Sequence, residues 1–374
     1  MESNREGKRS LLGWLESRVN LTEIVSFLSV FGLLPAELDS RKPLREALRE
    51  AMSQPLPSYA RWPRVLGILS FLLFLFLVAT GTMLAFYYQP TAEQAYPSVT
   101  LIARDVAFGV LIHQVHYWSA ALFLILLGMR VIRFFFQGLY ARGREVVWMA
   151  AVLTFVAAAI ADLTGRLLPY DASGYWTTVR AREVTDALPI LGPITSFLVG
   201  GSGLDSTVLT RYYVLHIAIF PILLLLLFYI HFSSVRRVGM SRVEAAPAAK
   251  RSLRVAMYDL FLLVIFMVGG LMTLAVLFPQ PFDAVANPIL TPPDARPPWY
   301  LLAPLALLEA LSFLPKVLRG VIPEAILAVV LVLPFLDRES GSGARRKLFR
   351  VLGIVLLVGW GALTWIGWYL EVGR

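Results

Sequence analysis

Seven long apolar stretches constrain what this chain can fold into more than any other feature. A helix needs about 20 mostly apolar residues to cross a bilayer, and each stretch is close to or above that length. The seven predicted spans are Leu66–Tyr87, Val106–Phe136, Val147–Pro169, Thr207–His231, Met257–Phe278, Val317–Leu336 and Leu348–Leu370. An eighth stretch, Trp299–Leu314, is shorter and contains Pro304 and Glu309, which favours a half-helix on the membrane surface over a span. The pattern predicts an all-α, polytopic membrane protein.

The composition supports this class of protein. Of the 374 residues, 57% are hydrophobic and 16% are charged, whereas soluble chains have about 45–50% and about 25%. These values exclude a disordered chain and an ordinary cytosolic enzyme. The sequence contains no cysteine, which excludes disulfides, zinc clusters, iron–sulfur ligation within this chain and haem attached through thioethers.

The positive charges give the spans a direction. The net charge is +9, and the basic residues gather before the first predicted span and in the loops after the second, fourth and sixth. The positive-inside rule then places the N-terminus and these loops in the cytoplasm of a bacterial-type inner membrane, and Arg374 outside. The charge is therefore topological, which argues against a nucleic-acid partner.

The spans divide the chain into three regions. Residues 1–60 are predicted as a cytoplasmic N-terminal segment, in which Leu21–Leu34 has the apolar spacing of an amphipathic surface helix. Residues 61–242 contain four spans and residues 243–374 contain three. The Ala-rich Val243–Lys250 is predicted to link the two blocks.

Four histidines, His113, His116, His216 and His231, lie in or at the ends of predicted spans. His216 and His231 are 15 residues apart on one span, which places them within about 60° of one helix face and roughly 22 Å apart along the axis. That spacing suits ligands for two stacked cofactors. His116 and His216 both lie near the outer ends of their spans, where two imidazoles could ligate one haem. For any single membrane histidine, an interhelical hydrogen bond is the alternative.

The inner layer lacks a second histidine. Arg130 follows His116 by 14 residues, on nearly the same helix face, and stands where a ligand opposite His231 is expected. A guanidinium stays protonated and is a very poor iron ligand. Alternatively, Arg130 only extends its charge toward the inner membrane surface.

Six motifs, in order, carry a family resemblance. They are ATGTMLAFYYQPTAEQAYPSV (79–99), HQVHYWSA (113–120), LTGRLLPYDASGYW (163–176), DALPILGPI (186–194), VLTRYYVLH (208–216) and PPWYLLAPLALL (297–308). From about Ala60 onward the chain resembles cytochrome b of the quinol-oxidising Rieske/cytochrome b complexes. It is most similar to a cytochrome b6 fused to a subunit IV. The resemblance implies a four-helix bundle with two b haems, and three further helices that complete the quinone pockets.

The resemblance also implies roles for individual positions around the haems. His116 and His216 match the ligands of the outer haem, and His231 matches one ligand of the inner haem. Small residues match positions that pack against the haem faces, where only glycine permits close approach; they are Gly67, Gly81 and Gly165. Arg133 matches a partner of an inner haem propionate, and His113 stands where the family often has an arginine near the outer propionates.

Two departures from the family pattern fall in the inner layer. Arg130 replaces the second histidine, and Ala151 replaces a glycine. The outer haem is therefore expected. The inner haem is either absent or bound by His231 alone, with a replacement ligand from elsewhere as a minor alternative. The missing cysteine also excludes the tethered extra haem of b6-type complexes.

The quinone pockets match two outer segments and one inner position. Leu167–Trp176, with Tyr170, and Pro297–Tyr300, with Trp299 and Tyr300, match the outer pocket. Pro298 replaces the family's proton-accepting glutamate. The remaining candidates for that role are Asp162, Asp171, Asp294 and Glu309, although Asp162 could simply form an ion pair with Arg166 one turn away. Asp259 matches the inner quinone pocket, or is a helix N-terminal charge.

Two functions follow from the resemblance. The first is an electron-transfer subunit of a quinol:cytochrome c reductase-like complex, with b haem and a quinone as cofactors. Its partners would be a Rieske or other iron–sulfur protein, a c-type cytochrome and membrane lipid, in a multi-subunit, dimeric complex. The alternative is a membrane scaffold whose haem is structural or a simple relay.

Overall fold

The computed structural model describes residues 15–16, 18–30, 38–53, 55–56, 63–141, 143–200, 203–238, 251–292, 295–337 and 344–372. Within these ranges, seven helices are long and apolar enough to cross a membrane, which confirms the all-α, seven-span prediction. The predicted linker Val243–Lys250 and residues 31–34 of the predicted surface helix lie outside the described residues.

Two short helices in the described residues, α1 (Leu21–Val30) and α2 (Leu44–Ser53), lie before the spans. They pack together around Leu38, Ala47 and Ala51. Strand β1 (Pro55–Leu56) pairs in antiparallel fashion with strand β2 (Arg251–Ser252), which immediately precedes the fifth span.

Four spans form a bundle. They are α3 (Pro63–Ala85), α5 (Gly109–Gln137), α6 (Glu145–Leu167) and a fourth span made of α9 (Ser206–Val214), a π-helical turn (Leu215–Ile219) and α10 (Phe220–Val238). Helix α3 packs on α5, and α6 packs on both α5 and α10. The middle of the bundle is filled by aromatic rings, with Phe228 in ring contact with Phe71, Phe74 and Phe123. Such burial of large apolar side chains is the main force that holds the bundle together.

Three short helices cover one end of the bundle, which is the predicted outer end. They are α4 (Ala95–Arg104), α7 (Ala172–Asp186) and α8 (Leu191–Val199). Asp171 caps α7 by accepting the Gly174 N–H, and Asp205 caps α9 by accepting the Val208 N–H. Caps of this kind satisfy backbone donors that have no partner inside the helix.

The last part of the chain packs against the outside of the bundle. It comprises α11 (Leu253–Leu277), the short α12 (Trp299–Ala310), α13 (Lys316–Leu336) and α14 (Ala344–Val372). Helix α11 packs on α5, α12 lies along α14, and α13 packs on α6. The loop after α11 is tied to α5, because Gln114 exchanges two hydrogen bonds with the Gln280 backbone and Trp118 donates to the Phe278 carbonyl.

A buried polar cluster joins the two blocks of spans at the end opposite the short helices. Tyr140 donates to Asp337 Oδ2 at 2.5 Å, and the Arg346 guanidinium contacts both of them and the Phe135 carbonyl. All three side chains are buried. Burial and the neighbouring carboxylate raise the pKa of Tyr140, so the phenol stays a donor.

Candidate functional site

Two imidazoles lie close together near the end of the bundle that the short helices cover. The ring centroids of His116, on α5, and His216, in the π-helical turn, are 6.1 Å apart. A metal–imidazole bond is about 2.0 Å long and the centroid lies about 1.1 Å behind the nitrogen, so two imidazoles on opposite sides of one metal have centroids about 6.2 Å apart. We name this pair the outer layer, after the predicted orientation. Its separation fits one iron between two rings.

Hydrogen bonds on the far side of each ring fix which nitrogen is available. Thr80 Oγ1 donates to the Phe76 carbonyl and lies 2.9 Å from His116 Nδ1, so it accepts from that nitrogen. The Ala161 carbonyl accepts from His216 Nδ1 at 2.9 Å. Each Nδ1 therefore carries the proton, and each Nε2 keeps its lone pair for a metal.

Two glycines make room for these rings. A Cβ on Gly81 would lie 3.1 Å from His116 Cε1, and a Cβ on Gly165 would lie 2.6 Å from His216 Cε1. Ordinary carbon contacts are about 3.5–4.0 Å. Any side chain at Gly165 would thus displace the imidazole. Three residues that the sequence analysis did not name, Thr80, Ala161 and Thr164, complete the surroundings.

The π-helical turn corrects the sequence-based geometry of the fourth span. The Phe220 N–H bonds to the Leu215 carbonyl five residues back, and Pro221 has no N–H to continue an α-helical ladder. A π turn absorbs one residue without advancing the helix, so the 15 residues from His216 to His231 act as about 14. The offset between the two histidines falls from about 60° to about 40°. Pro221 was the signal in the sequence that could have indicated this turn.

His231 and Arg130 lie together deeper in the bundle, in what we name the inner layer. His231 Nδ1 is 2.9 Å from the Val147 carbonyl, whereas its buried Nε2 has no hydrogen-bond partner. Phe134 stacks on His231 at 5.6 Å. The Arg130 guanidinium lies over the rings of Phe134 and Phe232, at 5.7 and 5.2 Å from their centroids.

The other residues expected around the haems do not lie against the His116–His216 pair in a way that indicates a haem contact. A Cβ on Gly67 would meet Phe232 and Arg130 at 3.6 and 3.7 Å, not a histidine. Arg133 is half-buried, with its guanidinium 5.9 Å from the Phe134 centroid. His113 packs on Phe282, with ring centroids 4.6 Å apart, and its buried Nδ1 has no partner. Ala151 is buried on α6.

Tyr300 and Asp162 meet near the outer layer. The Tyr300 hydroxyl lies 3.0 Å from Asp162 Oδ2 and 2.9 Å from the Ala159 carbonyl. The same carboxylate oxygen accepts from Arg166 Nε at 2.7 Å, which is the i,i+4 ion pair that the sequence allowed. The structure thus joins a residue of the PPWY segment to a carboxylate 138 positions earlier, a contact that the sequence did not indicate.

The remaining carboxylates are placed differently. Asp171 is buried, and its two oxygens accept the backbone N–H groups of Gly174 and Asp283. Burial raises the pKa of Asp171, while these bonds oppose the shift. Glu309 is half-buried near the end of α12, Asp259 is exposed near the start of α11, and Asp294 lies outside the described residues.

Two aromatic residues of the expected outer quinone pocket frame this region. The Tyr170 hydroxyl donates to the Leu204 carbonyl at 2.6 Å, so it is committed to the fold. Trp299 is 43% exposed and stands edge-to-face with Tyr300. Of the pocket residues named from the sequence, Trp299 therefore has the most surface available to a ligand.

Comparisons with known proteins show the family to which the chain belongs. The family model described as cytochrome b/b6/petB matches residues 51–239. The chain belongs to the cytochrome b/b6 family. The model described as cytochrome b (C-terminal)/b6/petD matches residues 285–372. The resemblance to a fused cytochrome b6 and subunit IV is thereby confirmed.

Individual relatives show how far the similarity extends. Cytochrome b6 of Tupiella akineta is 35% identical over 204 residues, which are 54% of this chain and 95% of that protein. Cytochrome b6 of Heliomicrobium gestii is 34% identical over 207 residues, 54% and 97% of the two chains. A chain of a hyperthermophilic respiratory Complex III superposes with a TM-score of 0.75 at 26% identity, covering 96% of this cytochrome b and 91% of that chain. This chain is a multi-pass membrane cytochrome b of the kind found in quinol-oxidising complexes.

Proposed function

We propose that the chain passes electrons between a quinol pool and a redox partner through a b haem held by His116 and His216. The observation that carries the proposal is the pair of imidazoles with ring centroids 6.1 Å apart, each with its Nδ1 hydrogen-bonded to a neighbouring helix. A bound b haem would supply reversible one-electron transfer. Thr80 and the Ala161 carbonyl orient the two imidazoles, and Gly81 and Gly165 leave them room.

We further propose that Asp162 accepts a quinol proton through Tyr300. It would take the role of the family's glutamate, whose position is occupied by Pro298 in this chain. A phenol that donates to a carboxylate can take a proton from a substrate hydroxyl as it passes its own proton on. The Asp162 side chain is 9% exposed and that of Arg166 is 28% exposed. Arg166 therefore lies toward the more accessible side, where the ion pair re-forms once the proton has left.

The other carboxylates support this choice. Both oxygens of Asp171 are occupied by backbone donors that fix the start of α7. Glu309 lies near the far end of α12, ten residues after Trp299, the first residue of that helix. Trp299 and Tyr170 are proposed to line the same quinone pocket, and Asp259 to face an inner one.

The setting of the chain is part of the proposal. The N-terminus is proposed to face the cytoplasm of a bacterial-type inner membrane, as the positive-inside rule predicts from the basic loops. The division into residues 1–60, 61–242 and 243–374 separates an N-terminal segment, a cytochrome b6-like domain and a subunit IV-like domain. A Rieske or other iron–sulfur protein and a c-type cytochrome are the expected partners, in a multi-subunit, dimeric complex, since a structural relative belongs to a respiratory Complex III.

The test is quinol-dependent reduction of the b haem in the purified complex, with a menaquinol analogue as donor. Asp162→Asn and Tyr300→Phe should lower turnover about 100-fold or more, because general base catalysis contributes about 10²–10⁴-fold. The haem content should stay unchanged. Asp105→Asn, at an exposed carboxylate that follows α4 and has no assigned role, is the matched control. A wild-type haem that quinol does not reduce would instead support the scaffold alternative, which Pro298 favours.

A further inference from the structure

The two layers of the bundle differ in how tightly they are packed. His116 and His216 are both partly exposed, although each is hydrogen-bonded into the bundle. Arg130 is 5% exposed and His231 is 1% exposed. A planar macrocycle needs free space next to its ligand nitrogen. The outer pair has such accessible surface, and the inner pair does not.

Side chains of the protein fill the inner layer. The Arg130 guanidinium lies within cation–π distance of both Phe134 and Phe232, an arrangement that stabilises a buried cation through the ring quadrupoles. In the described part of the chain, no carboxylate forms an ion pair with it. A Cβ on Gly67 would lie 3.7 Å from this guanidinium and 3.6 Å from Phe232. The small residue that matches a haem-facing position thus faces protein atoms.

The donor set of the inner layer does not fit a haem either. An arginine has five N–H donors and no lone pair to offer a metal. His231 Nε2 does have a lone pair, but the atom is buried and lies within the electrostatic reach of the Arg130 cation. An iron cation at Nε2 would be repelled by that charge. Ala151 is buried on α6 at the position where the family has a glycine, and its methyl group takes up space that a glycine would leave free for a haem.

We propose that Arg130 closes the inner layer, so that the chain binds one b haem and none between Arg130 and His231. The proposal deepens the proposed function, since it assumes the outer haem. A five-coordinate haem on His231 alone is disfavoured by the same packing, because Phe134 and Arg130 occupy the neighbourhood of that imidazole. Electrons that enter at the outer layer then leave on the outer side of the membrane. The class of reaction served is quinol oxidation by an outer-side acceptor, without a second electron path through the inner layer.

The haem content of the purified complex tests the proposal. The pyridine haemochrome assay should give one b haem per chain, and the electron paramagnetic resonance spectrum should show one low-spin species. The dithionite-reduced protein should not bind carbon monoxide. Two haems per chain, or a carbon monoxide adduct, would overturn the closed layer. A chain with no haem would instead refute the proposed function and leave the inner-layer inference standing.

Variants separate the layers. His231→Ala should keep the whole haem content, whereas His216→Ala should lose it. Arg130→His should raise the content from one haem toward two, since it supplies the missing ligand opposite His231 next to Gly67. Arg104→His, at the exposed end of α4, is the matched control and should leave one haem. A loss of half the haem in His231→Ala, or no gain in a folded Arg130→His, would contradict the role assigned to Arg130.

Discussion

Replacement of Gly165 by alanine should weaken binding of the outer haem, because the added methyl group collides with the His216 imidazole. The added Cβ would lie 2.6 Å from His216 Cε1 and 3.1 Å from its Nδ1. Since carbon contacts are about 3.5–4.0 Å, the imidazole must move by about 1 Å. That movement stretches the 2.9 Å bond from His216 Nδ1 to the Ala161 carbonyl beyond hydrogen-bonding distance. Overpacking of this kind costs about 1–3 kcal/mol, and a mid-range 2 kcal/mol is about a 30-fold loss of haem affinity.

The glycines of the bundle provide a graded series for the assay. Gly81→Ala, where the Cβ would lie 3.1 Å from His116 Cε1, should have a smaller effect than Gly165→Ala. Gly67→Ala, with 3.6 Å to Phe232, should leave the haem content unchanged. Gly270→Ala, with nothing within 4 Å, is the control for helix propensity. Haem per chain and haem retention during dilution are the measurements. The reasoning is refuted if Gly67→Ala loses as much haem as Gly165→Ala.

Three further predictions concern the polar contacts around the bundle. Asp337→Ala should lower the free energy of unfolding by about 3–5 kcal/mol, since it leaves Arg346 buried without its counter-charge; a thermal melt within 1 °C of the wild type would contradict this. Asp171→Asn should keep the α7 cap but change the pH dependence of stability. Because burial raises the folded-state pKa of Asp171 above 3.8, the wild type should lose stability relative to the variant as the pH rises through that folded-state pKa; parallel melting curves across the acidic range would exclude it. Thr80→Val removes the acceptor for His116 Nδ1–H, which makes the imidazole a weaker electron donor. A redox titration should then show a higher midpoint potential with the haem retained, and an unchanged potential would refute the assigned hydrogen bond.

The local pattern of the chain was sufficient for the spans and for most of the bundle. A 20-residue apolar helix satisfies all its backbone groups internally, so its existence depends on its own residues. The order of the motifs identified the family, and the 14- and 15-residue spacings pointed to His116, His216, His231 and Arg130. Each spacing relates two residues on the same helix, and such pairs can be predicted from sequence spacing.

Contacts between distant segments could not be predicted in the same way. The Tyr300–Asp162 bond joins a short outer helix to the third span, and nothing near either residue indicates the other. Thr80 and the Ala161 carbonyl were missed for the same reason, since a hydrogen bond to a histidine on another helix leaves no periodic trace. The π-helical turn at His216 was also not predicted, because spacing rules assume an unbroken α-helix.

The sequence by itself determined the class, the seven spans, the family and the asymmetry between two histidines in one layer and a histidine with an arginine in the other. The tertiary structure decided what that asymmetry means physically. It gave the outer imidazoles a separation that fits one iron and left them partly exposed. It placed Arg130 among Phe134, Phe232 and Gly67, four residues drawn from three helices. Whether a layer is open or filled depends on how side chains from several helices share a volume, and no single helix encodes that.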